Sequence, residues 1–251
     1  MNELKERVAL VTGSSQGLGR VIAFTLAEAG CRVIVNENSS VEKAKAVASE
    51  ITAKGGKAGY CIFDVSDEKT VNAVFDRLNA EYGSVDVLIN NARLDPYTRK
   101  PEMSEGEWWD RVMTVNLKGT FLCSQAFFKH AKVRKWGRIV NVSSVRSFIP
   151  AEMNMIAYGV SKLGMHGITR AFAQNGAEFN ITANTVAPGM IITENIDKRL
   201  TAEKYEREKN RIPLHRGGTC EEIADAVLFA ANNGYVTGET ININGGMHYA
   251  P

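Results

Sequence analysis

Short apolar runs alternate with helix-period patterns along almost the whole chain, and few folds accommodate that rhythm. Val8–Val11 is a run of strand length closed by Thr12-Gly13. Leu18, Val21, Ile22, Thr25, Leu26 and Ala29 then recur at spacings of three and four until Gly30, which predicts an amphipathic helix. The same pairing repeats. Val33–Val35, Ala58–Phe63, Val85–Asn90, Arg138–Val142, Ile181–Val186 and Thr240–Ile243 read as strands. Helical patterns follow at Val41 to Ile51, Val71 to Tyr82, Trp109 to about His130, Tyr158 to Phe179 and Ile223 to Ala230. Ser66 with Asp67 and Glu68 reads as a cap and acidic first turn of the third helix. Strands this short and apolar, separated by helices, imply a parallel sheet covered on both faces. Without a linker, repeat or low-complexity segment to divide it, 1–251 reads as one doubly wound α/β domain.

Composition removes several function classes. Thirty Lys plus Arg against 28 Asp plus Glu leave a net charge of +2, with no electrostatic footprint for nucleic acid or an anionic membrane. Cys31, Cys61, Cys123 and Cys220 are far apart, so neither a disulfide framework nor a zinc or other metal site is expected. The N-terminal stretch MNELKERVAL carries charges where a signal peptide is apolar, and no segment has the apolar length of a membrane span. A cytoplasmic protein is expected.

Residues 190–216 break the rhythm. This stretch is dense in charge, with Glu194, Asp197, Lys198, Arg199, Glu203, Lys204, Glu206, Arg207, Glu208 and Lys209. It follows a strand end, the edge where open α/β sheets bind ligands, which makes it a candidate substrate lid; a solvated helical excursion is the competing reading.

Two short motifs carry chemistry. Thr12-Gly13-Ser14-Ser15-Gln16-Gly17-Leu18-Gly19 joins the first strand to the first helix. Glycines there permit a tight turn and close backbone approach, and a helix N-terminus offers N–H groups to a phosphate. Its spacing is GxxxGxG rather than GxGxxG, so position after a strand and before a helix lifts it above a glycine-rich turn. Tyr158 and Lys162 stand one helical turn apart. A nearby ammonium favours the phenolate and brings a tyrosine toward acid–base work at neutral pH.

Thr12–Gly19, Asn90-Asn91-Ala92, Asn116, Ser143-Ser144, Tyr158 with Lys162, and Pro188-Gly189 occur in the order and spacing of one family. Ile212 to Arg216, Val236 to Gly238 and Asn244 to Gly246 also resemble that family's segments. Over essentially its full length the chain resembles a classical short-chain dehydrogenase/reductase. The resemblance implies a seven-stranded Rossmann-type sheet, a nicotinamide cofactor and hydride exchange with a secondary alcohol/carbonyl pair. It implies Tyr158 as proton donor or acceptor, Lys162 as its partner and ribose ligand, and Ser144 as the group holding the substrate oxygen. Ser144 is chosen over Ser143 as the second Ser of the motif. It implies that Asn116 holds a proton-relay water, against a plain structural role for a buried amide. Asn90 would contact cofactor-side backbone and stabilise the sheet. The dinucleotide would lie on Gly13, Ser15, Gln16, Gly17, Leu18 and Gly19, then Val65, Asn91, Ala92, Pro188, Gly189 and Ile191. Asp64 would take the adenine amino group and Thr193 the carboxamide. Homotetramers are common in the family, and Phe121, Leu122, Phe127 and Phe128 are compatible with helix-mediated assembly or with an ordinary core.

Glu37 lies 18 residues after Gly19, where a carboxylate accepts bonds from a ribose 2′-OH and repels a 2′-phosphate. NAD is therefore the expected cofactor and NADP the alternative, with Asn36 leaving the register open. Two departures from the family pattern bear on substrate. Arg93 stands where the family's Asn-Asn-Ala-Gly ends in glycine, and Arg146-Ser147 replaces a glycine after the serine segment. Arg93 and Arg146 would recognise an anionic substrate, or sit solvated. Phe148, Ile149, Met153, Met155, Ile156 and Met190 would give the pocket an apolar rim. The enzymatic alternative is an NADPH-dependent 3-oxoacyl-thioester reductase acting on acyl-carrier protein. The non-enzymatic one is a dinucleotide-binding regulatory protein.

Overall fold

Val8–Val11 (β1) is buried at all four positions, as a strand covered on both faces must be. The computed structural model describes residues 3–150, 152–193 and 201–249. Its other strands are β2 (Arg32–Glu37), β3 (Lys57–Ile62), β4 (Val87–Asn90), β5 (Gly137–Val142), β6 (Ile181–Pro188) and β7 (Thr240–Ile243). They form one seven-stranded sheet in the order β3-β2-β1-β4-β5-β6-β7, parallel throughout. The helices are α1 (Gly17–Glu28), α2 (Val41–Ala53), α3 (Glu68–Tyr82), α4 (Glu105–Val112), α5 (Gly119–Arg134), α6 (Ile156–Gly176), α7 (Ala202–Asn210) and α8 (Cys220–Asn232).

Side chains alternate across the sheet. Val33 and Val35 join Leu26, Ile51, Ile223 and Val227 under α1, α2 and α8. Ile34, between them, joins Leu10, Phe75, Leu78 and Phe127 under α3 and α5. Each such buried side chain contributes about 1.5–3 kcal/mol, so both faces are firmly covered. The chain runs from β1 outward to β3, then returns to place β4 on the other side of β1. That reversal opens a crevice at the carboxyl ends of β1 and β4.

Element boundaries differ from expectation where side chains intervene. The fourth helix starts at Glu105, because Ser104 and Glu107 form a reciprocal capping box. Trp108 is its buried tryptophan, and Trp109, where the sequence pattern begins this helix, is 38% exposed. Between α4 and α5, Met113–Lys118 forms a π-helical turn that shifts the helical register. The long helix α6 ends at Gly176, with a single 3₁₀ turn over Ala177–Phe179. Of the expected lid at 190–216, residues 194–200 lie outside the described residues. No helix among the described residues is long and apolar enough to cross a membrane.

Candidate active site

The crevice is a cleft of about 1070 Å³ lined from both halves of the sheet. At its floor, Thr12 ties β1 to the end of β4: its Oγ1 accepts from Asn91 N and Ala92 N, both at 3.0 Å. Asn91 Nδ2 returns bonds to Thr12 O at 2.9 Å and Gly13 O at 3.0 Å. Gly13 takes a left-handed conformation with φ +61, and a Cβ there would stand 2.9 Å from Ala92 Cα. At Gly19 a Cβ would meet Asn91 Nδ2 and Gly13 O at 2.4 Å, so this turn closes only with glycine.

α1 begins at this turn without a side-chain cap. Ser40, Asp67, Ser104, Thr201 and Thr219 cap α2, α3, α4, α7 and α8, while the other two helices without a side-chain cap, α5 and α6, run on directly from the π turn and from a 3₁₀ turn. The uncapped N–H groups and positive dipole end of α1 are a ready-made phosphate site, and the glycine cradle leaves it open. These residues fit a dinucleotide pyrophosphate. Ser15, Gln16, Gly17, Leu18, Asp64, Val65, Ala92, Pro188, Gly189, Ile191 and Thr193 line the same cleft. Asp64 also holds the Ser66 backbone N–H at 2.8 Å and hydroxyl at 2.6 Å.

The structure settles the register at the end of β2. Asn36 is 2% exposed, accepting from Gly13 N at 2.9 Å and donating to Phe63 O at 3.1 Å. It buttresses the glycine turn, a role with no signal in the sequence, because Gly13 and Phe63 are both distant from it along the chain. Glu37 is left at the cleft edge, its Oε2 accepting from the N–H groups of Ser39 and Ser40.

At the reaction end, Tyr158 lies in the first turn of α6 and Ser144 at the end of β5, both 9% exposed. Both line the cleft. Ser144 Oγ accepts from Arg146 N at 3.2 Å, which orients the hydroxyl. Lys162 is fully buried behind them, with Nζ donating to Val142 O at 2.8 Å and lying 5.7 Å from the Tyr158 ring centroid. Removal from water, reinforced by repulsion from Arg93, holds its pKa well below the ordinary lysine range. Asn116 is fully buried in the π turn: Oδ1 accepts from Leu94 N at 2.8 Å and Nδ2 donates to Ser161 Oγ at 3.2 Å. Its side chain therefore joins the β4 loop to the Tyr158–Lys162 helix. Asn90 is buried against Ser124 and Asn141 rather than in the cleft.

Arg93 lines the cleft and pairs with Asp95 at 3.1 Å. Its side chain is 35% exposed, and partial loss of water in the cleft opposes its charge, but the Tyr158 oxygen and Asp95 outweigh that and raise its pKa. Arg146 and Met190 also face the cleft. Met153 does not: it is 82% exposed, and Asn154 and Met155 of the same turn line the cleft instead. The rim is not the apolar one expected. Phe148 stacks on His248, with centroids 4.6 Å apart. Asp95, Asp110, Arg111, Glu152, Lys204, Arg207 and Glu208 bring charge to the wall. Among the described residues no cluster of His, Cys, Asp and Glu could hold a metal ion.

Comparisons with known proteins agree with this geometry. The chain is 40% identical over 98% of its length to a 3-oxoacyl-acyl-carrier-protein reductase of Aquifex aeolicus, of which it covers 98%. It is 41% identical to the enzyme of that name from Staphylococcus aureus, over 96% of this chain and 97% of the other. A solved gluconate 5-dehydrogenase from Burkholderia cenocepacia, in complex with NADP and tartrate, superposes with a TM-score of 0.87 at 32% identity, covering 98% of this chain and 96% of that one. The short chain dehydrogenase model matches residues 7–204. The chain belongs to the short-chain dehydrogenase family and is an NAD(P)-dependent oxidoreductase.

Proposed function

We propose that this enzyme interconverts a secondary alcohol and its carbonyl, with Tyr158 as general acid/base. The observation that carries the reading is a single cleft in which an uncapped, glycine-cradled helix end faces Ser144 and Tyr158. When bound, the nicotinamide supplies or accepts the hydride. In reduction the Ser144 hydroxyl holds the carbonyl oxygen and Tyr158 gives its proton to it. Lys162, anchored on Val142 O, fixes the Tyr158 turn, and would hold the nicotinamide ribose by turning Nζ from that carbonyl toward the cleft. Asn116 joins the helices and holds the relay water.

On this chain's own residues we assign NAD as the preferred dinucleotide. Glu37 places a carboxylate at the β2 end, Gln16, Asn38 and Asn36 in the same cleft are neutral, and Arg20 of α1 is bound to Glu50 at 2.6 Å. NADP is favoured by the gluconate 5-dehydrogenase relative solved with it. Two substrate classes each have support. Arg93 and Arg146 in the wall favour a carboxylate-bearing hydroxy or keto acid, the class named for that relative. The curated relatives favour a 3-oxoacyl thioester at least as strongly. We further propose that 190–216 acts as a substrate lid: Ile191 bridges Gly218 at its base, and Lys204 and Arg207 reach the cleft.

We propose a homotetramer in which α5 and α6 meet a second copy, supported by Phe121 at 44% and Leu163 at 53% exposure. Leu122 and Phe127 belong to the protein's own core, where Phe128 packs edge-on to Phe172. Four buried cysteines fit a reducing, cytoplasmic setting. A panel of gluconate, smaller hydroxy acids, neutral secondary alcohols and acetoacetyl-CoA, assayed with both dinucleotides, tests the proposal. Turnover of hydroxy acids with NAD supports the assignment. Turnover of the thioester alone with NADPH replaces it with the second reading, and no turnover of any compound refutes hydride transfer to this substrate range.

A further inference from the structure

We infer that His166 is a positioning residue that clamps the Ser143–Ser147 turn and so places Ser144 for reaction. It stands one helical turn after Lys162 on α6 and is 4% exposed. Its Nε2 lies 3.1 Å from Ser143 Oγ and 3.0 Å from Ser147 Oγ, and its Nδ1 lies 2.9 Å from Thr240 Oγ1. One ring thus joins α6, β7 and both sides of the serine turn.

The protons can be counted. Ser143 donates its single hydroxyl proton to Lys162 O at 2.9 Å, and Ser147 donates its own to Ser144 O at 2.6 Å. Both oxygens therefore offer lone pairs to Nε2, which must carry the ring's N–H, while Nδ1 accepts from Thr240. Of the two neutral tautomers, only Nε2–H keeps every one of these bonds. Burial supports it, since it lowers the ring's pKa to about 4. Ser144 O also accepts from Ser147 N at 3.0 Å, so Ser144's backbone is held by a residue that His166 itself holds. Ser147 falls where the sequence departs from the family's glycine, and its hydroxyl makes a contact that glycine could not. Phe148 closes the ring's edge at a centroid distance of 4.9 Å.

The inference rests on Ser144 as the group that meets the substrate oxygen, and its test has arms that do not depend on turnover. Nitrogen NMR of the wild-type ring should show Nε2 protonated and Nδ1 bare; a protonated Nδ1 in the neutral ring overturns the clamp. In His166→Leu, hydrogen exchange should accelerate at 145–149 while the sheet stays protected. With the best-turned-over panel compound, kcat should fall on the order of 100-fold, as expected for an ångström-scale misplacement, at unchanged dinucleotide Kd. His166→Gln, which keeps an amide donor near the Nε2 position, should restore most of kcat. Wild-type kcat in His166→Leu, or a Kd that weakens in step with kcat, refutes positioning. Should His166→Leu not fold, Ser147→Ala carries the same kinetic test with the ring intact. A wild-type enzyme that turns over nothing sinks the hydride-transfer reading, and the NMR arm still decides the clamp.

Discussion

Replacing Gly19 by alanine isolates the close approach on which the dinucleotide cradle depends. The new Cβ would meet Asn91 Nδ2 and Gly13 O at 2.4 Å and Ser14 Cα at 2.9 Å. Two of these are backbone atoms, which no rotamer change can move aside. The third is the amide that bonds to Thr12 O and Gly13 O. Overpacking costs about 1–3 kcal/mol, and losing those two bonds adds about 1 kcal/mol each. A total of about 4 kcal/mol lowers Tm by roughly 8–16 °C in a domain of this size. Gly17→Ala is the control. A Cβ there meets nothing within 4 Å, although φ is +53. The left-handed backbone alone costs about 1–2 kcal/mol, or roughly 2–8 °C. Thermal melts paired with calorimetric titration of the dinucleotide measure both effects. Gly19→Ala should melt well below Gly17→Ala and bind dinucleotide far more weakly. Equal melting temperatures together with wild-type binding in Gly19→Ala would mean that the close approach at residue 19 does not govern the cradle.

Three other outcomes follow from the site. His166 has its folded-state pKa lowered to about 4 by burial, with Arg170 and Lys162 adding repulsion. The unfolded chain binds the proton first, so stability is full above about pH 6.5, falls as pH drops, and levels off below about pH 4; the loss approaches roughly 3 kcal/mol. Denaturant melts across that window should show the slope, and His166→Gln should flatten it. Glu37→Ala should narrow the preference for NAD over NADP by roughly tenfold, at the lower end for one charged hydrogen bond, and an unchanged ratio of kcat/KM would contradict the assignment. Arg93→Ala and Arg146→Ala should each raise KM for a carboxylate substrate by roughly tenfold or more while sparing neutral alcohols; unchanged KM values would dismiss the anion reading.

What the sequence disclosed followed from periodicity and local chemistry. The alternation at Val33, Ile34 and Val35 fixes which core each side chain joins, and the glycines at 13, 17 and 19 announce a turn that needs them. What stayed hidden depends on contacts across the fold. Asn36 sits inward because Gly13 N and Phe63 O await it, and neither neighbour is near in sequence. The buried tryptophan is Trp108 rather than Trp109 because Trp108 and Val112, one turn apart, pack against Ala157, Leu94 and Met103 from other parts of the chain. Met153 looked like rim by composition, yet its 3₁₀ turn points it to solvent and leaves Met155 facing the cleft. His166 gave no signal at all: its partners Ser143, Ser147 and Thr240 come from a loop and a strand brought together only by the sheet.

In the proposed reaction Tyr158 moves the proton while other groups hold the dinucleotide, and Tyr158→Phe separates the two roles. Removing one hydroxyl from a buried ring on α6 leaves the α1 cradle untouched. Dinucleotide Kd should remain at the wild-type value while kcat for the best substrate falls by about 10²–10⁴-fold, the range of general acid–base catalysis. A Tyr158→Phe enzyme that binds dinucleotide and turns over at the wild-type rate would contradict the account.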